Sequence, residues 1–226
     1  MNFKELRGSP GHKIWLGDES YPERDTPKPD EFEFLTVNDS YWKLRRRFPL
    51  VSPIPKGLPD ESDLLNFQLA MSSKRTAIPE DLYNSHHSRA IQFFLQNWWK
   101  IRDIFIEPSE APQIAPRCYA EVDLGELGRP DFVGVCRDGS IAVVEFGLSS
   151  KAPQVAVHAY GLSQFTNPET MPIFPFTAKY SSSGKNSFQI DISQVNAGNI
   201  TRERESEVRL ITSKYDYVPK NAGLRL

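Results

Sequence analysis

The stretch from residue 128 to residue 147 constrains the fold more than any other part of the chain. Two runs rich in valine, isoleucine and phenylalanine, residues 128–136 and 141–147, flank the polar segment Arg137-Asp138-Gly139-Ser140. This arrangement predicts a β-hairpin. Asp131 opens the first strand and Glu145 lies near the end of the second, so antiparallel pairing brings both carboxylates to the same end. Two neighbouring buried charges of one sign cost free energy unless something compensates them. A divalent metal ion is the natural compensator.

The spacing of these acids resembles the motif of the PD-(D/E)-x-K nuclease superfamily. Pro130-Asp131 is followed by thirteen residues and then by Glu145-Phe146-Gly147. Gly147 stands where the superfamily has its catalytic lysine, so the resemblance includes the metal-binding acids but not the motif lysine. In some members the lysine comes from the following helix, and Lys151 stands four residues further on. The motif covers about twenty of the 226 residues.

The resemblance implies a restriction-endonuclease-like α/β core, with a mixed sheet flanked by helices. It also implies hydrolysis of phosphodiester bonds of DNA with Mg²⁺ or Mn²⁺. Asp131 and Glu145 would hold the metal, together with the backbone carbonyl of Phe146. Lys151 would hold the attacking water or the phosphoryl oxygens. Gln154 stands where many relatives have a glutamine that positions the site, although an exposed glutamine in a first helical turn would look the same.

A third carboxylate is expected from the strand that precedes the hairpin. Residues 117–124 alternate between apolar and polar side chains, which predicts a strand with Glu121 and Asp123 on one face. If consecutive strands are neighbours in the sheet, that face lies next to the hairpin acids. We prefer Glu121 as the additional metal ligand because it lies deeper in the strand. The alternative is a solvated outer face.

Three helices are predicted around these strands. Acids at residues 60–63 favour a helix start before residues 64–71, and Pro79 suits the first turn of a helix over 79–102. A third helix is predicted over 151–165, with Val155, Ala159 and Leu162 on its buried face. The order helix, strand, hairpin, helix, strand matches the α-β-β-β-α-β order of the nuclease-like fold.

The second of these helices contains three further residues of interest. Glu80 is positioned as an additional acid of the site, and compensation of the helix dipole explains it at least as well. His86 and His87 are adjacent, so they point about 100° apart and cannot chelate one metal together. At most one of them faces the site, and a structural role for either is the favoured interpretation.

The chain is expected to comprise an N-terminal extension, residues 1–60, and an α/β domain, residues 61–226. The extension is rich in proline, but aromatic side chains that include Trp15, Phe32, Phe34, Trp42 and Phe48 indicate that it packs on the domain. Within it, residues 32–37 predict a strand, and residues 41–48 fit a short helix or a strand. Further strands are predicted at the end of the domain, over residues 173–180, 187–192 and 207–212.

The net charge of −2 means that a nucleic acid would have to be bound by a local basic patch. Arg45, Arg46 and Arg47 form the strongest basic run, and Arg129 lies beside the acid pair. These four residues are the predicted nucleic-acid contacts. For the run of three, a solvated or salt-bridged surface is the favoured alternative.

Composition excludes several other classes of protein. Two cysteines without metal-ligand spacing predict free thiols rather than a disulfide scaffold or a zinc site. There is no N-terminal apolar run and no apolar stretch of about 18 residues, so we expect a cytoplasmic protein without a membrane partner.

Three functional alternatives remain open from the sequence. The first is a metal-dependent DNA nuclease, for which a homodimer would suit double-strand cutting. The second is a catalytically inactive nuclease-like module that binds nucleic acid or a protein, because Gly147 replaces the motif lysine. The third is an unrelated α/β protein with exposed acids at its strand ends.

Overall fold

The computed structural model describes residues 6–7, 13–15, 31–35, 41–47, 57–74, 86–106, 114–147, 151–184 and 187–195. These residues form nine strands and three α-helices, in the order β1 (Leu6–Arg7), β2 (Lys13–Trp15), β3 (Glu31–Leu35), β4 (Tyr41–Arg46), α1 (Glu61–Ser73), α2 (His86–Ile101), β5 (Arg117–Ala120), β6 (Phe132–Val135), β7 (Ile141–Gly147), α3 (Ala152–Leu162), β8 (Ile173–Gly184) and β9 (Ser187–Gln194). Short 3₁₀ helices lie at Arg102–Phe105, Gly125–Leu127 and Ser163–Phe165. The protein is therefore a mixed α/β structure, as the sequence predicts.

The chain divides into two compact units. One contains Met1–Pro49 and Ala178–Ser193, and the other contains Leu50–Thr177 and Gln194–Leu226. From the sequence we expect a boundary at residue 60, with residues 61–226 in one domain. Residues 178–193 group with the N-terminal residues in the first compact unit, where β9 pairs with β4.

In the first unit the strand order is β1-β2-β3-β4-β9-β8. The pairs from β1 to β4 are antiparallel, whereas β4 and β9 are parallel, with Tyr41 opposite Ser187. Trp42 is buried and stacks on Phe188, with ring centroids 4.6 Å apart. Residues 41–48 fitted either a short helix or a strand in the sequence, and the structure shows the strand β4 there.

In the second unit the strand order is β8-β7-β6-β5, and β6 is antiparallel to both β5 and β7. The predicted hairpin is confirmed. In its turn Cys136 N–H donates to the Ser140 carbonyl at 2.8 Å. Gly139 has φ +93°, a left-handed conformation in which glycine is favoured, and the Asp138 carboxylate accepts from Ser140 N–H at 3.0 Å.

Helices cover both faces of this hairpin. On one face α2 places Phe94 against Phe146, with ring centroids 4.7 Å apart, and Trp98 directly over Gly134. The Trp98 indole N–H also donates to the Val135 carbonyl at 3.0 Å. On the other face, side chains of α1 and α3 pack on β6 and β7 in one core that includes Phe67, Met71, Val133, Val143, Val155 and Ala159. Burial on both faces explains why β6 and β7 are apolar at nearly every position.

Several predicted boundaries change. The first helix begins at Glu61 and is capped by the Asp60 carboxylate, as predicted. The predicted helix over 79–102 is described from His86 to Ile101, and Glu80 lies outside the described residues, as does the predicted strand over 207–212. In α3, Lys151 is the N-cap residue, and the segment Ser163–Phe165 is a 3₁₀ helix rather than a continuation of the α-helix.

The strand predicted over 117–124 ends at Ala120. Glu121 has φ +51°, which a strand residue does not adopt. The predicted alternation of faces therefore does not extend to Glu121 and Asp123.

Candidate metal centre

Asp131 and Glu145 lie side by side at one end of the hairpin. Asp131 directly precedes β6, and its Oδ2 accepts a hydrogen bond from Phe146 N–H at 2.7 Å. In return, Glu145 Oε1 accepts from Asp131 N–H at 3.2 Å. Both side chains are buried, with relative exposures of 8% and 1%. The hairpin thus brings two carboxylates together away from water, as their positions in the sequence predict.

Two further side chains complete a cluster around Asp131. His87, in the first turn of α2, places Nε2 3.3 Å from Asp131 Oδ1. Glu121 lies in the same cluster because its left-handed backbone ends β5 there. One ligand atom from each of His87, Glu121 and Asp131 lies within 4.8 Å of the other two. Of the two adjacent histidines, His87 is therefore the one that faces the acids.

His158 is a further residue of the site and was not predicted from the sequence. It lies in α3, is 2% exposed, and places Nδ1 2.6 Å from Glu145 Oε1. A sequence signal existed, because residue 158 falls three after Val155 and four before Leu162, on the predicted buried face. A histidine on the buried face of a helix requires a polar partner.

The ionisation of the buried pair follows from its surroundings. Burial and the adjacent Asp131 carboxylate raise the pKa of Glu145 well above its usual range. Burial lowers the pKa of His158 to about 4. Both shifts favour a neutral Glu145 and a neutral His158 in the metal-free protein.

Asp131 also affects the pKa values of His87 and Glu121. The hydrogen bond to Asp131 raises the pKa of His87. Burial, followed by the charge of Asp131, raises the pKa of Glu121. The raised pKa values of His87 and Glu121 favour their protonated forms, which reduces the negative charge around Asp131.

The donor set fits a divalent cation. Glu145 Oε2 is buried and has no hydrogen-bond partner among the described residues, which is costly for a carboxylate oxygen. Carboxylate oxygens suit Mg²⁺ and Mn²⁺, and imidazole suits transition metals, so a mixed set of this kind favours Mn²⁺ over Mg²⁺. Asp131, Glu121 and His87 could hold such an ion, with Glu145 beside them.

Lys151 and Gln154, the two further residues that the resemblance implies for the site, form a pair at the start of α3. The Lys151 ammonium donates to Gln154 Oε1 at 3.1 Å, and both side chains are partly buried. Besides burial and Asp131, the positive charge of Lys151 acts on the pKa of Glu145 and lowers it. Lys151 is thus close enough for its charge to act on the acids, while its hydrogen bond is made to Gln154.

The predicted nucleic-acid contacts fall in both units. Arg129 is half exposed, with a guanidinium nitrogen 3.8 Å from Asp123. Arg45, Arg46 and Arg47 lie in or directly after β4 of the first unit. There, Arg47 forms an ion pair with Asp191 at 2.6 Å, and Arg45 lies 4.0 Å from the same carboxylate. Part of the arginine run is therefore salt-bridged, which was the favoured alternative.

Comparison of the chain with protein-family models, with curated proteins and with solved structures gives no match. Among the described residues, no helix combines the length and the apolar character that crossing a membrane requires.

Proposed function

We propose that this protein is a divalent-metal-dependent nuclease that hydrolyses phosphodiester bonds of DNA. The observation that carries the proposal is the buried acidic centre, in which Glu145 Oε2 has no donor among the described residues and Asp131 lies beside it. In the metal-free protein a proton on Glu145 compensates the arrangement, and a bound cation would take over that compensation when the proton is released. The PD-(D/E)-x-K resemblance of the sequence gives the centre its chemistry.

The proposed roles are as follows. Asp131, Glu121 and His87 would hold the cation, and Glu145, which lies beside Asp131 but outside that group of three, would offer its oxygen Oε2. A cation bound there would activate a water molecule and neutralise charge that develops on the phosphate. The hydrogen bond from Phe146 N–H keeps the Asp131 carboxylate in one orientation. Such preorganisation avoids rearrangement during the reaction.

Lys151 takes the place of the missing motif lysine in this proposal. Gly147 has no side chain, and Lys151 stands at the start of α3 with its ammonium held by Gln154. From there the ammonium contacts a phosphoryl oxygen of the substrate, while Gln154 keeps it in position. From α2 onward the elements of the second unit follow the order α-β-β-β-α-β, with α1 as an additional helix before them, and this order supports a restriction-endonuclease-like core.

The test is cleavage of a supercoiled plasmid and of single-stranded DNA in Mn²⁺, Mg²⁺ or EDTA. We expect cutting that requires a metal ion and is abolished in Asp131→Asn. Lys151→Ala should reduce the rate about 100-fold, the usual effect of removing one group that stabilises the transition state. Asp138→Asn is the matched control, because this residue lies in the turn of the same hairpin and Asn keeps its acceptor oxygen.

A second candidate function is a catalytically inactive module that binds nucleic acid or a protein. The hydrogen bond of Lys151 to Gln154, rather than to the hairpin acids, favours it. DNA binding without cutting in either metal would support this candidate and refute the nuclease. Cutting that persists in Asp131→Asn would refute both the proposed centre and its role.

A further inference from the structure

The imidazole of His158 is enclosed between Glu145 and a glycine. Its Nδ1 lies 2.6 Å from Glu145 Oε1, and a Cβ added at Gly128 would lie 2.7 Å from its Nε2. Gly128 also has φ +92°, so glycine is favoured here both by the backbone conformation and by the close approach of the His158 ring. The ring therefore has little room to adopt another orientation.

The two oxygens of Glu145 have different surroundings. Oε1 faces two nitrogen groups, Asp131 N–H at 3.2 Å and His158 Nδ1 at 2.6 Å. Oε2 has no hydrogen-bond partner among the described residues. The Asp131 N–H and the His158 ring therefore both face one oxygen of Glu145 and leave the other without a described partner.

We propose that His158 is a positioning residue, whose Nδ1–H holds Glu145 Oε1 so that Oε2 is presented to the cation. This inference rests on the proposed cation centre. In this proposal His158 of α3 orients Glu145 of β7. In other metal sites, groups that hold a ligand in this way change metal affinity by about 10- to 100-fold when they are removed.

A purely structural histidine would fill the same space without affecting the cation. Two variants separate these roles. His158→Asn retains a nitrogen donor near the position of Nδ1, whereas His158→Leu retains bulk without any donor. His86→Leu is the control for loss of a histidine, because residue 86 is exposed in the first turn of α2.

The first measurement is made on the metal-free protein and does not depend on activity. The nitrogen chemical shifts of the His158 ring report which nitrogen carries the proton. We expect the proton on Nδ1. A proton on Nε2 alone would overturn the proposal, because Nδ1 could then not donate to Glu145.

The second measurement is Mn²⁺ binding by calorimetry. We expect His158→Leu to bind Mn²⁺ 10- to 100-fold more weakly than the unaltered protein, and His158→Asn and His86→Leu to bind within about threefold of it. Unchanged affinity in His158→Leu, or equal losses in the Leu and Asn variants, would overturn the positioning role and leave the cation centre intact. Absence of Mn²⁺ binding by the unaltered protein would instead refute the centre and, with it, this inference. If His158→Leu does not fold, the Asn variant and the proton position decide the question.

Discussion

Replacing Glu145 with glutamine tests the buried acidic centre most directly. Glutamine keeps the shape of the side chain and an acceptor oxygen for Asp131 N–H and His158, but it cannot ionise. The carboxyl group of Glu145 is 1% exposed and lies against Asp131, so the folded protein retains its proton at a pH where the unfolded chain has lost it. The unfolded chain loses this proton near pH 4.5, the ordinary value for glutamate.

The sign of the effect follows from this raised pKa. Stability that comes from the protonated acid is fully present below about pH 4.5 and is lost as the pH rises to the pKa of the folded protein. Within that window the free energy of unfolding falls by about 1.4 kcal/mol for each pH unit. Glu145→Gln removes this dependence, so the variant should become progressively more stable than the unaltered protein as the pH rises.

The assay is urea unfolding in EDTA between pH 5 and pH 9, with Glu126→Gln as the control at an exposed position. At pH 8 the same titration is repeated with Mn²⁺ at about 100 times its dissociation constant, which should stabilise the unaltered protein by about 2.7 kcal/mol. We expect Glu145→Gln to gain far less. Stability curves that run parallel for the two proteins from pH 5 to pH 9 would refute the reasoning about Glu145.

Two other predictions test the surroundings of the centre. In Gly134→Ala the added methyl group overlaps the rigid ring of Trp98, so urea unfolding should show a loss of about 3 kcal/mol. Gly57→Ala, where a Cβ meets no atom within 4 Å, should stay within about 0.5 kcal/mol, and similar losses at the two glycines would contradict the packing. Because its hydrogen bond to Asp131 raises the pKa of His87, the stability from this pair is present below pH 6.5 and is lost as the pH rises through the raised pKa. In EDTA, His87→Gln should therefore cost more stability at pH 5.5 than at pH 9, and an equal cost at both would show that the pair is not ionic.

Some features of the site follow from local sequence. The two apolar runs on either side of the Asp-Gly turn predicted the hairpin, and antiparallel pairing across that turn brought Asp131 and Glu145 to the same end. The acids at residues 60–63 likewise marked the start of α1. In these cases the interacting groups belong to one turn or to two adjacent strands. The geometry within one turn or between two adjacent strands follows from the periodic direction of side chains along helices and strands.

Other features could be found only in the folded structure. The pairing of β4 with β9 joins segments about 146 residues apart, and no local pattern encodes which distant strand a given strand will meet. The left-handed backbone conformation of Glu121 could not be predicted from the sequence either, because apolar and polar side chains continue to alternate after residue 121.

The sequence by itself therefore determined that two acids would share one end of a hairpin. Tertiary structure decided what surrounds them, since α2 and α3 bring His87 and His158 to the acids from different parts of the chain. Whether a histidine on a helix serves the core or a carboxylate depends on which strand that helix packs against. That choice is made by burial of the whole apolar face, and not by the residue itself.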